Sequence, residues 1–248
     1  MRMNDNTNTT TNEATKSVAN PPHRHLTPEE IKKGCVEIGG DEHGVRICRM
    51  HEELEQGMTE MEMYDRSVTF YGSARFKEGD EYYDRARTLG SRVAKELGFT
   101  VITGGGPGIM EAGNRGAFEA GGNSVGASIQ LPMEQHDNPY MTDTIPFYFF
   151  FARRYALSYS SEAFVFFPGG FGTLDELFET LTLLQTGKTR NITVVLIGQA
   201  YWERLINWSM LAEEGLIGPH DLALFHFAET AQQAWDLISR NHGGPTPR

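Results

Sequence analysis

Apolar and polar positions alternate along this chain in two periods. Short apolar runs stand at 68–71, 100–103, 124–129, 164–167 and 193–197, each with the length and the β-branched or aromatic content of a buried strand. Helical spacing fills the gaps between them: 80–97, about 109–120, and a stretch after Pro168 that puts Leu174, Leu177, Phe178 and Leu181 on one face. Beyond 197 the pattern predicts an amphipathic helix over 202–212, a last strand over 222–227 and a closing helix over 229–240. Upstream, residues 35–66 are polar but helical in spacing (Met50, Leu54, Met58, Met61), expected to pack outside the main domain or against a second subunit. Residues 131–146 show no period and read as a long loop. The aromatic run 147–151 reads as a buried strand or a subunit contact in preference to an aromatic wall for a base, with Arg153 and Arg154 opening the helix that follows.

Strands alternating with helices across short turns predict an α/β fold, a Rossmann-like doubly wound parallel sheet with helices on both faces. The expected organisation is a disordered Asn/Thr-rich leader over 1–26, a helical N-terminal extension over 27–66, the sheet domain over 67–241 and a flexible tail over 242–248. Thr27 and Glu30 form a capping-box pattern at the start of the extension.

Three of the strands run straight into glycine. They are followed by Gly72-Ser73, by Gly104-Gly105-Gly106-Pro107-Gly108 and by Pro168-Gly169-Gly170-Phe171-Gly172-Thr173. Ligands in such sheets lie beyond the carboxyl ends of the strands, where all three turns fall. A helix start offers backbone N–H groups without internal partners, and glycine lets an anion approach them. The pattern therefore predicts a phosphate held by the N–H groups of Gly105, Gly106, Gly170, Gly172 and Thr173. Thr173 is the expected N-cap, and Asp175 and Glu176 are expected in the first helical turn. Asp175 alone reads as a carboxylate favoured by the helix dipole, and Ser73 reads equally as a turn former or a nucleotide contact.

A formal net charge of −11 and a sequence pI near 5.2 argue against a nucleic-acid groove or an anionic membrane surface. Two cysteines make no disulfide framework. With no apolar run of membrane-spanning length and no signal-peptide pattern, a cytoplasmic protein is expected. Cys35, His43, Cys48 and His51 lack the close C-x-x-C spacing of structural zinc sites, so no metal is expected. Gly187-Lys188-Thr189 is not the end of a P-loop, because Thr182 stands where the first glycine belongs and a helix precedes it. The 104–108 turn lacks the third glycine of the dinucleotide fingerprint, Ile109 standing there, and no G-x-S-x-G elbow occurs.

Taken together, the runs Gly104–Met110 and Pro168–Glu176 resemble the paired signatures of the LOG ("Lonely Guy") family, the second matching P-G-G-x-G-T-x-x-E at every fixed position. The resemblance spans about 68–227. It implies a phosphoribohydrolase that cuts the N-glycosidic bond of a nucleoside 5'-monophosphate, AMP or a cytokinin riboside 5'-monophosphate, to free base and ribose 5-phosphate. Relatives often carry a lysine decarboxylase label, but nothing here marks a lysine as a Schiff-base partner for pyridoxal phosphate. The implied catalytic residues are Glu176 and Arg153. Around Arg153, Arg154 replaces the lysine and Leu157 the methionine of the family's R-K-x-x-M context. The implied substrate-binding set comprises Ser73, Gly104, Gly105, Gly106, Gly108, Met110, Glu134 and Arg154. Pro168, Gly169, Gly170, Gly172 and Thr173 complete it. The loop carrying Glu134, Gln135, Asn138, Pro139 and Tyr140 resembles that of the family's larger, higher-oligomer subgroup, which implies a homo-oligomer, a dimer or a dimer-based hexamer. No cofactor is implied. The alternatives are a non-catalytic carrier of a nucleotide or phosphorylated cofactor on the same fold, and a phosphotransferase, disfavoured by the missing P-loop lysine.

Overall fold

A computed structural model describes residues 42–64, 66–130, 137–189 and 192–242. The chain divides into two compact units, residues 1–45 and 46–248. Of the first, only 42–45 are described, as the opening turn of helix α1 (Glu42–Met61). The leader, the Thr27–Glu30 capping box, Cys35, Glu134 and the tail beyond 242 lie outside the described residues.

The second unit is built on seven parallel strands: β1 (Ser67–Tyr71), β2 (Thr100–Thr103), β3 (Ser124–Ile129), β4 (Asp143–Phe147), β5 (Ser161–Phe166), β6 (Thr193–Ile197) and β7 (His226–Ala228). Their order in the sheet is β4-β3-β2-β1-β5-β6-β7. The chain winds outward from β1 to β4, crosses back, and resumes beside β1 with β5. Connecting helices are α2 (Glu81–Arg92, with a π-helical last turn to Leu97), α3 (Ile109–Glu119), α4 (Phe150–Tyr159), α5 (Phe171–Gln185), α6 (Gln199–Leu205), α7 (Trp208–Glu213) and α8 (Ala231–His242).

Both faces of the sheet are buried, as a parallel sheet requires. Successive side chains of a strand point to opposite faces, and β1 divides accordingly: Val68 and Phe70 join one apolar cluster with Leu89, Ile109 and Ile238, while Tyr71 joins the other with Phe164, Leu177 and Trp202. Met50 and Leu54 of α1 pack on the second cluster, and the Glu53 carboxylate accepts the N–H groups of Tyr148 (3.1 Å) and Phe149 (3.0 Å) at the start of α4. That carboxylate takes the place of a local N-cap.

Four sequence expectations need correction. The 131–146 loop ends in a strand, β4, whose Pro146 is tolerated because an edge strand has a neighbour on one side only. The aromatic run 147–151 is no strand: Phe147 ends β4 and Phe150 opens α4, leaving Tyr148, Phe150 and Phe151 exposed. The helix expected over 202–212 breaks at Asn207, whose side chain accepts the Met210 N–H (3.2 Å) and caps a new helix. Most of 222–227 is not strand, since a 3₁₀ turn occupies Pro219–Ala223 and β7 begins at His226.

Candidate active site

β1, β2 and β5 end at one edge of the sheet, and the reversal of winding falls between β1 and β5, the position where open α/β sheets bind ligands. The three glycine turns are tied together there. Ser73 N–H donates to Pro168 O (3.0 Å), Phe167 N–H to Tyr71 O (2.8 Å) and Ile109 N–H to Ser73 O (3.1 Å). Gly108, at φ 72°, is needed for this junction: a Cβ would lie 2.4 Å from Ser73 O. The Ser73 hydroxyl accepts the Arg75 N–H (3.2 Å), so the turn-forming role of Ser73 is present.

The 104–108 turn rests on a buried polar clamp. Asn138 donates its amide to Gly105 O and Gly106 O (3.1 Å each) and to Asn114 Oδ1 (3.0 Å), which also accepts the Thr103 hydroxyl (2.5 Å). The Gly105 N–H donates to Thr103 Oγ1 (2.9 Å), which corrects the expectation that it faces a phosphate. Gly106 donates its N–H to no group among the described residues.

The second cradle is the start of α5. Gly170 is its N-cap, three residues before the expected Thr173, so Asp175 and Glu176 stand in the second turn instead of the first. The first intrahelical bond is Leu174 N–H to Gly170 O (3.0 Å), which leaves the N–H groups of Phe171, Gly172 and Thr173 at the free helix end. Thr173 is buried beneath Gly169, where a Cβ would stand 2.2 Å from its Oγ1. Gly169 O accepts the Tyr201 hydroxyl (2.5 Å), and Pro168 is buried.

Arg153, on α4, is buried. Its Nε donates to Ala127 O (2.7 Å) and its Nη2 to Gly104 O (3.4 Å). The Met110 sulfur borders the same backbone, 2.8 Å from where a Gly104 Cβ would be. Burial lowers the Arg153 pKa and the negative charge of Glu176 opposes that. Glu176, half-buried, is pushed up to about 7, first by burial, against the pull of Arg153 and with the repulsion of Asp175. Arg154 is held by acids, pairing with Asp175 and placing its Nε 3.2 Å from Glu179.

Glu176 also stands on the wall of a cavity of about 440 Å³, with Leu54, Met58, Tyr71, Phe151, Arg154 and Tyr155 among its neighbours. The glycine turns do not line this cavity. Glu176 follows Thr173 by three residues, one turn along the same helix face or roughly 4.5 Å, and so links cradle to cavity. Sequence reasoning missed Asn138 and Tyr71. Asn138 lies in an aperiodic loop without a signal, whereas Tyr71 had one: a polar aromatic closing a strand before glycine. Among the described residues no group of three or more His, Cys, Asp or Glu gathers as a metal site, and no helix is long and apolar enough to cross a membrane.

The family model described as "Possible lysine decarboxylase" matches residues 110–238. A rice protein (Oryza sativa subsp. japonica) named "Probable cytokinin riboside 5'-monophosphate phosphoribohydrolase" is 28% identical over 74% of this chain and 88% of its own length. A cytokinin riboside 5'-monophosphate phosphoribohydrolase of Rhodococcoides fascians is 28% identical over 62% of this chain and 79% of its own. Among solved structures, the molybdenum cofactor binding protein of the phototrophic bacterium Rippkaea orientalis aligns at TM-score 0.52 with 22% identity, covering 71% of this chain and 94% of that one. The molybdenum cofactor carrier protein of Chlamydomonas reinhardtii aligns at 0.52 with 24% identity, over 72% and 98%. These two likenesses concern the fold alone. With the family model covering more than half of its length and the P-G-G-x-G-T-x-x-E run complete at 168–176, the chain belongs to the LOG family, the family of the lysine decarboxylase description.

Proposed function

We propose that this protein hydrolyses the N-glycosidic bond of a nucleoside 5'-monophosphate, AMP or a cytokinin riboside 5'-monophosphate, releasing the free base and ribose 5-phosphate. The observation that carries this reading is the placement of Glu176: a half-buried carboxyl, near pH 7 in its titration, one helical turn from a glycine-lined helix start and within the field of buried Arg153. The names of the rice and Rhodococcoides relatives point to the same substrate class.

In this reading the 5'-phosphate lies on the N–H groups of Gly106, Gly172 and Thr173, with Gly170 letting the anion approach the helix end. Anchoring it there fixes the distant C1' carbon relative to Glu176. As the bond from C1' to the base breaks, its electron pair leaves with the base and positive charge develops on the sugar. Ionised Glu176 stabilises that charge and takes a proton from the water whose oxygen adds to C1'. The departing base gains a proton in exchange, so the reaction consumes one water. Arg153, a fixed cation beside Glu176, holds the carboxylate toward its ionised form. Arg154 acts through its pairs with Asp175 and Glu179 and shapes the cavity wall.

The test is to incubate the purified protein with AMP and with a cytokinin riboside 5'-monophosphate and to follow free base and ribose 5-phosphate. Stoichiometric release of both supports hydrolysis. Tight nucleotide binding with no base released over many enzyme equivalents supports the carrier reading instead.

A further inference from the structure

We propose that Tyr71 reads the base: its phenolic hydroxyl donates a hydrogen bond to an acceptor nitrogen of a purine ring lodged in the cavity beside Glu176. The proposal rests on the nucleoside monophosphate reading and adds to it the contact that sets base specificity.

Tyr71 is the last residue of β1, 5% exposed, and it lines the cavity. Its ring is fixed by stacking on Phe166 at 4.6 Å between centroids and 11° between planes, with Phe164 at 5.9 Å on another side. Its hydroxyl makes no hydrogen bond among the described residues and is not sealed off, so it opens on the cavity. The contrast with Thr69, two residues earlier on the same face of β1, is direct: that hydroxyl bonds Ser161 Oγ (2.5 Å) and Leu157 O (2.9 Å). Two other hydroxyls of the cavity wall are taken, Ser158 by Tyr155 O (2.9 Å) and Thr180 by Glu176 O (2.8 Å), while Tyr155 itself is exposed to solvent. The buried phenol of Tyr71 and the half-buried carboxylate of Glu176 therefore face the cavity ready to meet a ligand, with the Arg154 Nε beside them turned to Glu179.

The chemistry of the pair sorts the ligand. Burial, and next the charge of Glu176, raise the Tyr71 pKa well above its ordinary value, so it stays a neutral phenol and a donor. It calls for an acceptor held in place by an apolar ring. Leu54, Met58, Phe151 and Leu183 supply walls for a flat bicycle, and a purine presents acceptor nitrogens on more than one edge. Such a bond strengthens as the departing base takes up the electron pair, so the contact would act on turnover as well as on binding.

The test compares AMP with its 1-deaza, 3-deaza and 7-deaza analogues on wild-type protein and on Tyr71→Phe, reading both affinity and base release. Wild type is expected to lose roughly 10–100-fold in kcat/KM, or in affinity if no base is released, for one of the three analogues. Tyr71→Phe is expected to lose the same factor with AMP and to stop discriminating against that one analogue. Its Tm should stay within a few degrees of wild type, because the deleted hydroxyl has no partner and the ring stack is kept. Unchanged discrimination in Tyr71→Phe, equal treatment of all four nucleotides by wild type, or failure of the variant to fold would each overturn the proposal. If wild type neither binds nor cleaves any of the four, the nucleotide reading itself falls and this inference with it.

Discussion

The guanidinium of Arg153 occupies the space that a side chain at Gly104 would need: a Cβ built on Gly104 would stand 2.0 Å from Nη2. Glycine at the end of β2 is thus what lets a buried cation lie against the turn, bonded to Ala127 O and Gly104 O. Gly104→Ala is expected to expel the guanidinium, lowering kcat/KM at least roughly 100-fold, with a stability loss of about 1–3 kcal/mol. Steady-state kinetics beside a thermal melt check this. Near wild-type turnover would show that the cation is not required at that spot.

Glu176 makes activity and stability depend on pH in opposite directions. Its carboxyl titrates at about 7 in the folded protein against an ordinary 4.5, because burial disfavours the charge. Between those two values the folded protein binds more protons than the unfolded chain, so this group's contribution to stability falls as pH rises. By pH 8 the cost is on the order of 2 kcal/mol after allowing for partial exposure. Glu176→Gln should therefore melt a few degrees above wild type at pH 8 and level with it near pH 4.5. Meanwhile wild-type kcat/KM should climb with pH to a plateau, with an apparent pKa near 7. A melting difference that does not change with pH would contradict the burial argument.

The clamp under the 104–108 turn makes a separate prediction. Asn138→Ala removes the amide shared among Gly105 O, Gly106 O and Asn114 Oδ1 and leaves Gly106 O without its partner, while Gly105 O keeps the Asn138 backbone N–H and Asn114 Oδ1 keeps the Thr103 hydroxyl. A loss of about 1–3 kcal/mol is expected, together with a raised KM for the nucleotide, since the loosened turn carries the Gly106 N–H. Wild-type KM with only a lowered Tm would show that the turn keeps its shape without the clamp.

The fold was legible in the chain because strand and helix differ in period, and five of the seven strands overlap the short runs at 68–71, 100–103, 124–129, 164–167 and 193–197. β4 was not, because Asp143-Thr144-Ile145-Pro146-Phe147 buries only Ile145 and Phe147 and carries a proline that edge position alone excuses. β7 was misplaced since three paired residues are too few to show a period. The glycine turns were legible as anion cradles, but which N–H groups stay free was not. Gly105 is satisfied by Thr103 two residues back, and the helix start moved to Gly170 because N-capping here uses backbone geometry in place of the threonine hydroxyl. Arg153 and Glu176 carried no signal of their own in periodicity; the family pattern singled them out, and burial now gives each a physical character. Asn138 makes its contacts dozens of residues away in sequence, which no local pattern encodes, whereas Tyr71 closes a strand just before glycine and could have been marked.

The account depends most on Glu176 acting on a nucleotide that other groups hold. The direct measurement is AMP affinity and base release in wild type and Glu176→Gln, side by side at pH 8. Affinity within a few-fold of wild type with release lowered by at least roughly 1,000-fold is expected. Base release by the variant at an undiminished rate, or loss of nucleotide binding along with release, would contradict it.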